Sequence, residues 1–210
     1  GGLIAINNEM VSKDNGIDLH LSYGSWSRRL GEAKLDYGLG RLRLSTRLML
    51  VDAENDFLYK LNRDLQERRQ VHHHLENRGI LQEAAWYVND SEHLTARFWY
   101  QDADRQIPPT SVQNRSEAGQ QDKNLRASLH WSRIGDKWSW QAKTAWLDEE
   151  IQYQDSAILL YTVNGFRTWL AEAESAVRLT PSIRMAGGIF VESSEASSPN
   201  YDTDHIRRQQ

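Results

Sequence analysis

The chain has 210 residues, with Lys+Arg 25 against Asp+Glu 29, a net charge of −4, 39% hydrophobic residues, 4 Pro and 13 Gly. Collagen-like, low-complexity and disordered classes are excluded, one domain is the default at this length, and nothing in the charge points to nucleic acid. Zero Cys excludes disulfides, thiolate metal sites and a cysteine nucleophile.

Gly1-Gly2 comes without an initiator Met, a basic n-region or an apolar h-region, so the expectation is an excerpt with no signal peptide. Nine segments with period-2 alternation follow, the mark of half-buried strands. The first sets Ile17, Leu19, Leu21 and Tyr23 against Asp18, His20 and Ser22. The second sets Ala33, Leu35 and Tyr37 against Glu32, Lys34 and Asp36. In the third, Leu42, Leu44, Leu48 and Leu50 oppose Arg41, Arg43, Ser45 and Arg47. The fourth, Ile80 to Val88, alternates poorly. The fifth carries Leu94, Ala96, Phe98 and Tyr100, and the sixth Leu125, Ala127, Leu129 and Trp131. The seventh carries Trp138, Trp140, Ala142 and Trp146, the eighth Ala171, Ala173, Val177 and Leu179. Ile183, Met185, Ile189 and Val191 make the ninth. One face is apolar throughout; the other is charged.

Gly38-Leu39-Gly40, Asn89-Asp90-Ser91, Ile134-Gly135-Asp136 and Thr180-Pro181-Ser182 have the chemistry of tight hairpin turns. Between them lie longer links, residues 52–78, 102–122 and 148–164, after a short first link from Ser25 to Leu30. Long and short connections therefore alternate, which places all long loops at one end of the sheet. A transmembrane β-barrel has this rhythm, with short periplasmic turns and long extracellular loops. No apolar run exceeds five residues (Ala84 to Val88, Ala157 to Tyr161), so a spanning helix, which needs ~20, is excluded. Spanning strands need only ~9–11 residues, half of them polar. The 8 Trp and 8 Tyr fit the same reading, because many lie near strand ends: Trp26, Tyr37, Trp86, Trp99, Tyr100, Trp131, Trp138, Trp146 and Trp169. Such rings favour the boundary where the body is apolar and the N–H or O–H stays wet. The fold class expected is all-β, an antiparallel up-and-down meander of about nine strands, part of a large transmembrane barrel.

Gly1-Gly2-Leu3-Ile4-Ala5-Ile6-Asn7-Asn8 resembles the end of the plug domain of TonB-dependent outer-membrane receptors. Asp104-Arg105-Gln106-Ile107-Pro108-Pro109, followed by Gln120-Gln121-Asp122 and the next strand, is a second similarity to that family. The resemblance implies residues 1–16 as the end of a plug and its linker, and residues 17–210 as the first part of a barrel. It also implies location in the outer membrane of a Gram-negative bacterium, contact with its lipid, and import of a scarce small molecule of the ferric siderophore or cobalamin class. The partners implied are a plug, further barrel strands and the TonB system, with no catalysis and no cofactor. The family's barrel has about 22 strands around a plugged lumen; nine are counted here, and the C-terminal aromatic usual for assembly is lacking. An aromatic and cationic cup at the outer face would hold the ligand, and Phe57, Tyr59, Arg105, Tyr153 and Tyr161 are the loop candidates by position. A diffusion porin, or a soluble all-β carbohydrate-binding module using exposed Trp, are the alternatives.

Other chemistry finds little support. There is no G-x-S-x-G, H-E-x-x-H or P-loop motif, and Gly38-x-Gly40 precedes strand sequence. His72-His73-His74 could chelate a transition metal, though a solvated loop is the plainer reading. Asp52, Glu54 and Asp56 offer oxygen ligands for Ca²⁺ without the Gly turn and bidentate Glu of a dedicated loop. Glu172 and Glu174 share a strand face ~7 Å apart, compatible with a glycosidase pair or with a charged lumen wall.

Overall fold

A computed structural model describes residues 14–60, 67–110, 115–199 and the backbone of 205–209. The strands are β1 (Gly16–Tyr23), β2 (Arg29–Leu39), β3 (Leu42–Ala53), β4 (Leu58–Lys60), β5 (Glu67–Arg69) and β6 (Leu75–Asn89). They continue with β7 (Glu92–Gln106), β8 (Ala118–Ile134), β9 (Trp138–Asp155), β10 (Leu160–Thr180), β11 (Ile183–Ser197) and β12 (His205–Gln209). Ten of them form one antiparallel sheet in the order β1-β2-β3-β6-β7-β8-β9-β10-β11-β12, and β4 pairs with β5 as a separate ribbon. All nine expected strands are present, in chain order. Three short strands were not foreseen: β12, and the β4–β5 ribbon inside the link assigned to 52–78. The plug-like octapeptide Gly1 to Asn8 lies outside the described residues.

Register places every expected apolar residue on one face. Leu35 pairs with Ile17, Leu48 with Ala33 and Ile80, Tyr100 with Ile80 and Leu125, and Trp146 with Ala127 and Trp169. Arg47, Arg97, Arg126 and Lys143 all fall on the other face. The poor alternation of β6 has two causes. Gln82 sits on the apolar face and Leu81 on the charged one, and a bulge between Tyr87 and Asn89 breaks the period.

No second layer covers the apolar face: among the described residues each strand touches only its neighbours in the sheet. Leu42, Leu44 and Leu48 therefore do not oppose Leu125, Leu129 and Trp131 across a sandwich. Among the described residues the buried apolar ones are only Ala53, Ala85 and Ala118, whereas Leu21 is 83% exposed and Ile189 71%. Each large side chain left in water forgoes ~1.5–3 kcal/mol, so this face needs lipid. On β8 it runs from Lys123 through Leu125, Ala127, Leu129 and Trp131 to Arg133. That stretch is ~34 Å along the strand, which a tilt of ~40° reduces to the ~25 Å height of a barrel's apolar band.

Parity puts the short turns at one rim. The β2–β3 turn needs Gly40, whose φ is +59°. A Cβ on Gly135 would lie 2.7 Å from the Trp138 carbonyl, so the β8–β9 turn closes only over glycine. The long links are shorter than expected. Strand pairing continues to Ala53, Gln106 and Asp155 and resumes at Leu75, Ala118 and Leu160, so the connection assigned to 148–164 is a turn of four residues, 156–159. Above the band both faces meet water, and alternation stops signalling strands although the hydrogen-bond ladder continues.

Candidate functional site

The long-loop rim carries the richest cluster of side chains. Trp26 and Ser27 have φ of 59° and 57° in the β1–β2 turn, where Arg28 N donates to Ser25 O at 3.3 Å. Left-handed geometry at both central residues normally selects Asn-Gly and costs other residues ~1–2 kcal/mol each. What holds it is the loop after β3: Asn55 N donates to Trp26 O at 3.3 Å, and the Trp26 ring meets Phe57 edge-on at 5.7 Å.

Phe57 is the hub. It also meets Tyr59 at 6.3 Å and His73 at 6.0 Å, both edge-on, while Asn55 Nδ2 donates to the His73 carbonyl at 3.1 Å. Gln70 N donates to Phe57 O at 2.8 Å, and Arg69 is ion-paired with Asp56. Tyr23, Trp26, Asn55, Phe57 and Arg69 surround an open cavity of about 880 Å³. Of the five non-glycine residues with left-handed φ among those described, Trp26, Ser27, Asn55 and His72 stand in these loops. Strain of this kind gathers at ligand clamps.

The five expected site residues do not converge. Phe57 and Tyr59 share the cup. Arg105 lies on the inner face in register with Gln120, which is in register with Tyr153; Arg105 is salt-bridged to Asp122 at 2.9 Å. Tyr161 is one rung away from the Tyr153–Thr162 pair, on the outer face, and 60% exposed. Sequence reading noted Trp26 only as a strand-end aromatic and missed Asn55, Arg69 and His73 as cup residues, because a turn that breaks φ preference leaves no compositional trace.

The histidine run points three ways. His72 Nε2 donates to the Ala118 carbonyl at 2.7 Å, His73 packs on Phe57, and His74 Nε2 donates to Asp52 Oδ2 at 3.0 Å. With Asp52 and Asp56 engaged, no three His, Asp or Glu converge on a metal among the described residues.

Below the cup the inner wall is laced with ion pairs: Lys34–Asp36 at 2.7 Å, Arg97–Glu83 at 2.8 Å, Arg47–Glu83 at 3.6 Å, Arg126–Glu149 at 2.5 Å and Lys143–Glu172 at 3.5 Å. Glu172 is thus a wall carboxylate with a lysine partner. Arg126 also stacks 4.7 Å over the Trp99 ring.

A lipid-facing sheet with a charged inner wall and loops gathered at one rim has solved counterparts. The chain superposes on the siderophore receptor PiuA from Acinetobacter baumannii with a TM-score of 0.66 and 10% identity, over 90% of this chain and 31% of that one. The fold is part of a large β-barrel. At that identity the likeness is one of fold, and the chain spans about a third of that receptor's length. OmpTΔL8, an outer membrane protein of Vibrio cholerae, aligns with a TM-score of 0.42 and 8% identity, over 94% of this chain and 58% of that one. No protein-family model and no curated protein matches the sequence.

Proposed function

We propose that this chain is the first part of the barrel of a TonB-dependent outer-membrane receptor that imports a scarce small molecule, of the ferric siderophore or cobalamin class. The observation that carries the reading is the single sheet itself. Its outer face is apolar over the height of a bilayer, its inner face is ion-paired, and its long loops sit at one rim, in an arrangement similar to a siderophore receptor. The cup of Trp26, Phe57, Tyr59 and Arg69 is the proposed first contact for the ligand at the cell surface. Residues 1–16 are proposed as the end of a plug and its linker, and the remaining strands would complete the wall.

The experiment is uptake by the full-length protein in outer-membrane-competent cells. Radiolabelled ferric siderophore should accumulate only when TonB is present. Passive, TonB-independent entry of small solutes would instead make the barrel a diffusion pore.

A further inference from the structure

Residues 54–74, between β3 and β6, make the longest connection at the loop rim among the described residues. The β4–β5 ribbon inside it pairs with no strand of the main sheet among those residues. Connections longer than ~12–15 residues are ordinarily functional or disordered, so an ordered one needs anchors. His74 fastens only the base, where its N–H donates to Gln106 Oε1 at 3.3 Å and its carbonyl takes Gln106 N at 2.9 Å, prolonging the β6–β7 ladder. His72 reaches further. Its Nε2 passes the end of β7 and donates at 2.7 Å to the Ala118 carbonyl, where β8 begins. That acceptor is itself fixed: Ala118 is buried, its carbonyl also takes Ile107 N at 2.9 Å, and its N–H donates to Ser116 Oγ at 3.2 Å. The backbone of His72 is bent to match, with φ of 55°, and histidine is one of the few side chains enriched in that left-handed region.

The next residue carries this anchorage into the cup. The His73 carbonyl accepts Asn55 Nδ2 at 3.1 Å, its ring meets Phe57 at 6.0 Å, and Asn55 N holds the Trp26 carbonyl at 3.3 Å. A path of bonds therefore runs from the rigid start of β8 to the Trp26 turn, and His72 is its first link. We infer that His72 is the positioning residue of the cup: by its bond to β8 it docks the loop and holds Phe57 and His73 where the Trp26 ring meets them. It does not line the cavity itself, so it acts on the ligand through these neighbours. The inference rests on the receptor reading of the cup and deepens it by assigning the residue that sets the cup's shape.

The test uses the full-length protein and two readouts. Nitroxide labels at Lys60→Cys on the ribbon and Arg115→Cys on the β7–β8 link, in a background otherwise free of cysteine, report by their distance whether the loop is docked. Uptake of radiolabelled ferric siderophore by cells, normalised to assembled barrel, gives a half-saturating concentration and a maximal rate. His72→Leu, which keeps bulk but no donor, should broaden the label distance. It should also raise the half-saturating concentration about two- to tenfold, the factor one neutral hydrogen bond carries, and leave the maximal rate unchanged. His72→Gly should do the same without a side chain in the left-handed bend. His72→Gln, whose amide N–H can reach the same carbonyl, should restore both readouts, which a role in bulk or backbone strain alone would not allow. An unchanged label distance in His72→Leu and His72→Gly overturns the inference and leaves the receptor reading intact, as does a lowered maximal rate at unchanged half-saturation. Failure of His72→Gln to restore either readout overturns it too. Broadened distances in a protein that takes up no ferric siderophore refute the receptor reading instead and keep His72 as the anchor of the loop.

Discussion

The indole nitrogen of Trp131 donates a hydrogen bond of 2.9 Å to Glu92 Oε1 across the β7–β8 pair, at the short-turn edge of the apolar band. The ring lies with the lipid-facing residues while its one polar atom is held by a carboxylate at the water boundary. Hydrogen bonds to charged groups contribute ~1.5–3 kcal/mol. Glu92→Leu should therefore lower the stability of the intact barrel by about that amount, and Trp131→Phe by less. Urea unfolding in lipid vesicles measures both, and equal stability of Glu92→Leu and wild type would remove the anchor.

The two faces should answer oppositely to the same charge. Leu129→Arg places a guanidinium on the lipid face, where the cost is ~2–4 kcal/mol near the midplane. Ser128→Arg, one residue away, points to the ion-paired wall and should be tolerated. Comparing assembled barrel by heat-modifiable gel mobility distinguishes them. Equal tolerance would mean that lipid does not cover Leu129.

Sidedness follows from strand parity. In intact cells, cysteines at His73 and Arg115 should react with an impermeant reagent added outside, and those at Asp90 and Asp136 should not. Reaction of the second pair alone would invert the topology.

The strained turn offers a stability–function trade. Replacing Trp26-Ser27 by Asn-Gly relieves left-handed strain of ~1–2 kcal/mol per residue and should raise the melting temperature. It also removes the ring that meets Phe57, so capture of ligand should weaken. A variant that binds ligand as tightly as wild type would exclude Trp26 from the cup.

Without detergent the 210-residue chain should not behave as a soluble monomer. The outer edge of β1 and the uncovered apolar face are both templates for association. A monodisperse sample with a cooperative melt would contradict the membrane reading.

The strands were legible wherever one face met lipid and the other charge, as in Leu125 to Trp131, because period 2 is then enforced by two different solvents. Legibility failed in two places. At β6 Leu81 stands on the charged face and Gln82 on the apolar one, so the alternation is weak there. Above the band, Asp148, Glu150, Gln152 and Gln154 make the outer face polar while the inner one mixes Glu149 with Ile151 and Tyr153, and strand looks like loop. At the loop rim, position in a long link is enough to name Phe57 and Tyr59 as candidates, whereas Trp26 joins them only through a left-handed backbone that its side chain disfavours and no composition signals. Tyr161 falls on the outer face, a parity that a polar segment does not reveal without register.

The extension of β9 and β10 has a mechanical consequence. The rungs from Asp148–Arg167 to Asp155–Leu160 are laddered by backbone bonds over ~24 Å, so what stands above the bilayer is a stiff mast, braced on the other side by β8 up to Ala118. A mast transmits a push at its tip to its foot, where Arg167 and Asp148 are bonded at 3.2 Å at the outer edge of the lipid band. Its tip, residues 156–159, is free of the ladder, with Leu159 93% exposed. An epitope spliced between Ala157 and Ile158 would ride on that mast, displayed clear of the surface while the wall beneath keeps its register.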